Sequence, residues 1–206
     1  STIAAMLAKR LGILHLDTGA MYRAAALKML RLGLDLSDEQ AVNEVLEKTD
    51  IDIKFGDGVQ TVMLDGEDVN SLIRVHNVSQ AAAKVSAFKK VRLKLAGAQR
   101  EIAKKYDLVA DGRDIGTFVL PTADYKFFLT ANAKTRAQRR YDELISAGQR
   151  VEYLSVLEDI KKRDEMDTGR AIAPLKRADD AVLIDSSLMT PEQVVDLMLE
   201  IIRKGR

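Results

Sequence analysis

The 206-residue chain is 47% hydrophobic, enough to bury the core of one domain, or of one domain with a modest insert. Lys and Arg total 32 against 31 Asp and Glu, and a net charge of +1 argues against a global electrostatic footprint for nucleic acid. No Cys is present, which excludes disulfides, thiol catalysis and thiolate metal sites and is compatible with the cytosol; no apolar run approaches membrane-spanning length. Of the two His, His15 and His76 lie far apart, so a His-based metal site or triad is not expected. Chemistry must come from Arg, Lys, Asp and hydroxyls, the inventory of a phosphate enzyme.

Ile3, Leu7 and Leu11, with Met6 beside them, mark an amphipathic helix stopped by Gly12. Residues 13–16 read as a short strand. Residues 16–23, Leu-Asp-Thr-Gly-Ala-Met-Tyr-Arg, follow where an α/β protein places a ligand loop. Gly19 lets backbone approach a ligand, Tyr22 offers a flat face, and Arg23 is a two-pronged donor for phosphate. A helical pattern over 20–33 ends near Gly33, and Ser37-Asp38-Glu39-Gln40 reads as the capping box of a helix through about Lys48.

Then the period changes. Ile51, Ile53 and Phe55 alternate with polar residues, Asp57-Gly58 gives a hairpin turn, 61–64 a return strand, and Asp65-Gly66 a second turn. This predicts an inserted antiparallel unit around 50–70. Residues 75–105 are helical in two pieces. A buried strand over 108–110 delivers Asp111-Gly112-Arg113-Asp114-Ile115-Gly116-Thr117 to its carboxyl end. Strands are expected at 125–129 and 181–184, and helices at 134–147 and 154–167. Thr190-Pro191-Glu192-Gln193 opens the final helix with a cap, an N1 proline and a capping box. Such alternation predicts an α/β fold with a parallel sheet flanked by helices.

Ligands of open parallel sheets bind at the carboxyl ends of the strands. Arg113 is placed there to hold a phosphate and Asp114 to accept hydrogen bonds from a base or ribose, although the loop also reads as a simple ion-paired turn. Arg136, Arg139 and Arg140 share one helix face, and Arg163, Asp167 and Arg170 follow beyond Gly148. Arg-rich faces are ordinary solvated surface. Two of them bracketing a helical hairpin also read as a closing lid that excludes water from phosphoryl transfer.

In this order the segments resemble bacterial cytidylate kinases, a family of P-loop nucleoside monophosphate kinases. The resemblance runs from Ser1-Thr2 through 16–23, the β unit, 85–92, 111–117 and 136–140 to 163–175. It implies a P-loop NTPase-type parallel sheet in one domain over 1–206. The core would span 1–35, 106–130 and 176–206, the monophosphate-binding region with its β insert about 36–105, and the lid about 131–175.

The resemblance also implies a division of labour. Thr18, Arg92 and Asp114 would read the cytosine edge, Arg163 and Asp167 would hold the ribose, and Arg23, Arg113 and Arg170 would grip the acceptor phosphate beside Tyr22. Ser1 matches the hydroxyl that binds Mg²⁺, with Thr2 next to it at the ATP site, and Arg139 and Arg140 would lean over ATP from the lid. Arg113, Arg163 and Arg170 would act catalytically by neutralising charge, since such transfer is mostly positioning. The implied activity is ATP-dependent phosphorylation of CMP, and of dCMP, by a cytoplasmic monomer without nucleic-acid or membrane partners.

Two departures accompany the resemblance. The glycines and Lys of G-x-x-x-x-G-K-S/T are expected immediately before Ser1. Ala83 stands where many relatives carry Ser nine residues before the match to Arg92; Ser86 is the nearest hydroxyl, which bears on CMP against dCMP. An alternative is a nucleotide-binding protein that keeps the CMP pocket without kinase activity. Another is an RNA-binding module on the basic helices, against which stand only five Phe, five Tyr and no Trp.

Overall fold

The computed structural model describes residues 2–56 and 59–205. Helix α1 (Thr2–Leu11) stops at Gly12, whose φ of +69° suits a residue without Cβ. Strand β1 (Leu14–Asp17) runs straight into α2 (Thr18–Arg31), because the Asp17 carboxylate accepts the Ala20 amide at 3.1 Å and caps the helix.

Helix α3 (Glu39–Glu47) departs from the expected capping box. Asp35 captures both the amide and the hydroxyl of Ser37, at 2.9 and 2.7 Å, so the cap falls to Asp38, which accepts the Ala41 amide. Gln40 turns instead to Glu44.

Strands β2 (Ile51–Gly56) and β3 (Val59–Leu64) pair antiparallel, as the alternation predicts, and bury Ile51, Ile53, Val62 and Leu64 in the cluster that α2 also enters. The Asp57-Gly58 turn lies outside the described residues. Asp65 and Gly66, at φ +50° and +85°, form the second turn and lead into a short third strand, β4 (Glu67–Asp68), which the alternation does not foretell. Helices α4 (His76–Val85) and α5 (Lys89–Ala103) are the expected two pieces.

Strand β5 (Leu108–Asp111) pairs parallel to β1 with Asp17 opposite Asp111, so both charged loops leave the same end of the pair. Strand β6 (Phe127–Thr130) pairs parallel to β7 (Val182–Asp185). Between them α6 (Ala133–Ser146) and α7 (Tyr153–Thr168) pack as a hairpin. Helix α8 (Pro191–Lys204) opens on the expected Thr190 capping box and packs with α1 and Ile184 in a second core cluster.

The parallel sheet is present as two pairs, and no hydrogen bonds join them among the described residues. For the same reason β5 is half-exposed rather than buried: β1 covers one edge, and the other lines a cleft of about 2060 Å³ that reaches β6. No helix among the described residues is long and apolar enough to cross a membrane.

Candidate active site

Two loops meet where β1 and β5 end. Thr18, buried at the start of α2, donates its hydroxyl to the Asp111 carbonyl at 2.7 Å. The contact is close enough that a Cβ at Gly112 would stand 2.6 Å from Thr18 Oγ1 and 2.8 Å from Ile115 Cδ1, so only glycine fits there. His15 Nε2 lies 2.6 Å from Asp111 Oδ1. Burial pushes the Asp111 carboxyl up, and the hydrogen bond to His15 pulls it down. His15 is thus a strand residue with a carboxylate partner, and His76 opens α4 on the surface.

Beyond this seam the cleft wall is built of arginines. Arg23, one and a half turns into α2, donates from Nη2 to Asp17 Oδ2 at 2.7 Å, and its Nε is buried without a partner. Arg92, fully buried on α5, donates to Asp114 Oδ2 at 2.6 Å and to the Ser86 carbonyl at 3.0 Å. Its guanidinium carbon stands 5.5 Å from the centre of the Tyr22 ring. Burial pushes the Tyr22 phenol up to about 12, against the pull of Arg92, so it is a neutral, flat wall of the pocket at ordinary pH.

Asp167, buried on α7, pairs with Arg170 through Oδ1. Its Oδ2 stands 3.0 Å from Arg113 Nε, within ion-pair range but off the line of a hydrogen bond. Arg170 also donates to Ser86 Oγ at 3.2 Å. Arg163 lines the cleft with its side chain still exposed to solvent, and desolvation first and the charge of Arg113 second lower its pKa. No carboxylate is paired with Arg163 among the described residues.

Five guanidinium groups (Arg23, Arg92, Arg113, Arg163, Arg170) line the cleft together with the carboxylates of Asp17, Asp114 and Asp167, and a cluster of this kind suits a phosphate monoester. Thr18, Tyr22, Arg23, Arg92, Arg113, Asp114, Arg163, Asp167 and Arg170, expected from the sequence to share a pocket, do come together.

A scan against family models matches cytidylate kinase over residues 1–204. The chain belongs to the cytidylate kinase family. It is 49% identical over 204 residues to a cytidylate kinase from Caldicellulosiruptor saccharolyticus, covering 99% of this chain and 90% of the relative. A cytidylate kinase from Carboxydothermus hydrogenoformans is 50% identical over 202 residues, covering 98% and 91%. One from Corynebacterium diphtheriae is 44% identical over 206 residues, covering 100% and 90%.

The residues expected at a donor site are arranged differently from those expected at an acceptor site. Ser1 lies outside the described residues, and Thr2 opens α1 exposed on the cleft. Arg136, Arg139 and Arg140, which the spacing places on one face, take three separate partners. Arg136 clasps Asp164 of α7 at 2.8 and 2.6 Å, Arg139 donates to the carbonyls of Ser186 (2.6 Å) and Met189 (3.1 Å), and Arg140 pairs with Glu143 at 2.8 Å. Among the described residues no group of three or more His, Asp or Glu could hold a metal.

Sequence reasoning gives Asp17 and Asp111 no role of their own, although each carries a signal as the carboxylate that closes an apolar strand. Ser86, singled out only as the hydroxyl nearest Ala83, accepts from Arg170 through its side chain and from Arg92 through its carbonyl.

Proposed function

We propose that the chain phosphorylates CMP with ATP, and dCMP as a second acceptor, by direct in-line transfer in the cytoplasm. The observation that carries this reading is the cluster of Arg113, Arg163 and Arg170 about the one carboxylate of Asp167, in the same cleft as the buried Arg92–Asp114 pair. Arg23, Arg113 and Arg170 bind the acceptor phosphate, and Arg163 with Asp167 meets the ribose. Arg92 occupies Asp114 Oδ2, which leaves Oδ1 to accept the cytosine N4 amine. Uracil presents an acceptor at that position and would leave Asp114 unpaired.

Arg113, Arg163 and Arg170 then lower the charge on the phosphoryl group as it passes, with no protein base required. Binding frees Arg113 and Arg170 in part from Asp167, since a dianion competes for the same donors. Asp111, at the carboxyl end of β5, is the carboxylate that would hold a Mg²⁺ accompanying ATP, a metal kept through one or two carboxylates and substrate phosphates rather than by a protein cage, and when bound it would supply charge neutralisation at the donor phosphates. Residues 131–175 serve as the lid, Arg139 and Arg140 as its donor-side cations, and Ser1 and Thr2 as the hydroxyls by the donor phosphates.

The test is a coupled ADP-release assay with ATP, Mg²⁺ and each of CMP, dCMP, UMP and AMP. Turnover with CMP and dCMP well above UMP and AMP is expected. Equal turnover with UMP would remove Asp114 from base reading, and binding of CMP without turnover would favour a nucleotide-binding protein.

A further inference from the structure

We infer that Gln60, on the inserted antiparallel sheet, is a positioning residue for the acceptor-phosphate grip. Its side-chain amide holds the main chain of Asp17, and the Asp17 carboxylate holds Arg23; the inference rests on the acceptor-site reading above.

One edge of β1 pairs with β5 through Asp17 opposite Asp111. At the same residue the amide of Asp17 donates to Gln60 Oε1 at 2.8 Å, and Gln60 Nε2 donates to the Asp17 carbonyl at 3.3 Å. A primary amide carries the donor and acceptor of a peptide unit, so Gln60 stands in for a neighbouring strand one residue long. The last residue of β1 is thereby held from both sides.

Gln60 is itself secured. Its carbonyl accepts from Asn70 Nδ2 at 3.4 Å, and Asn70 Oδ1 accepts the Val62 amide at 3.1 Å. The far end of the insert is tied to the last turns of α2, through Lys28–Asp65 at 2.7 Å and Arg31–Glu67 at 2.6 Å. The insert thus lies along α2 from its cap to its end. The ion pairs are partly exposed and contribute little. The Gln60 pairing satisfies a part-buried backbone amide, which is costly to leave open.

What depends on it is the aim of Arg23. Among the described residues Arg23 is hydrogen-bonded only to Asp17 Oδ2, and its Nε has no partner. Loss of Gln60 would leave the Asp17 amide without an acceptor and let the cap drift, and Arg23 would drift with it.

Calorimetric titration of the full chain with CMP and with cytidine separates the possibilities, using wild type, Gln60→Ala, the isosteric Gln60→Met and the control Asp65→Asn. Both Gln60 variants should bind CMP about tenfold more weakly, with cytidine within about twofold of wild type. The control should match wild type for both ligands, and KM for ATP should not change. Wild-type affinity for CMP in Gln60→Met overturns the inference while sparing the acceptor site. Equal losses for CMP and cytidine, or failure of both variants to fold, assign Gln60 to the fold alone. Absence of CMP binding by the wild type overturns the acceptor-site reading and this inference with it.

Discussion

Arg163 brings a cation into a cleft that already holds Arg113, Arg170 and Arg23, and burial together with their repulsion lowers its pKa. Such a side chain is kept at a cost to the unliganded protein and is relieved by an anion. Arg163→Ala is expected to reduce kcat/KM for CMP by about 10²-fold or more without lowering the melting temperature of the ligand-free protein. A steady-state assay beside a thermal melt checks both halves.

Tyr22 gives a prediction at high pH. Its phenol is pushed up to about 12 in the folded chain against 10.0 when unfolded, so the native state retains a proton that the unfolded state releases. The associated stability is complete below pH 10 and is lost as pH rises toward 12, on the order of 2–3 kcal/mol in all. Denaturant titrations between pH 9 and 11.5 should show a steeper loss in wild type than in Tyr22→Phe. Thr18, Tyr22, Arg23, Arg113 and Asp114 drew notice in sequence because each stands in a glycine-containing loop at a strand end. The hold of Gln60 on Asp17 did not, since it is a contact to backbone, and a backbone contact leaves no residue pattern.

At the scale of elements, α6 and α7 are joined by the two-pronged Arg136–Asp164 bridge. The hydrogen bond from Arg136 holds the Asp164 carboxyl below its ordinary value despite partial burial. Its contribution is therefore present above about pH 3.8 and lost as the pH falls through the lower folded value. Both groups are partly exposed, so the bridge contributes about 0.5–1 kcal/mol, or about 1–4 °C in melting temperature. Asp164→Asn should melt lower by that amount at pH 7, and the difference from wild type should narrow as the pH falls below 3.8. Helix spans were readable from periodicity, and the Thr190 cap from its sequence. The Ser37 cap was misread because Asp35 competes for the same hydroxyl, a choice between two local hydrogen bonds that spacing does not rank.

Across the whole molecule the arginine cluster of the cleft should appear as linkage between ligand and fold. CMP at a hundred times its Kd should add about 2.7 kcal/mol to stability, and cytidine at the same concentration much less. Inorganic phosphate should raise the melting temperature more than sodium chloride at matched ionic strength. Equal effects from the two salts would mean general screening rather than a site. Alternating helices and strands revealed parallel pairing, and β1 with β5 fulfils it. The separation of β5 from β6 was not legible, because an apolar strand reads alike whether one edge or both are covered.

The contact between Thr18 and the Asp111-Gly112 peptide joins two loops 93 residues apart in the chain. Neither loop can be exchanged by itself. A bulkier side chain in place of Thr18 would collide with the second loop, and any side chain in place of Gly112 would displace the first. The two segments form one steric unit, and a chimaera that takes one from a distant relative is expected to need the other from the same parent.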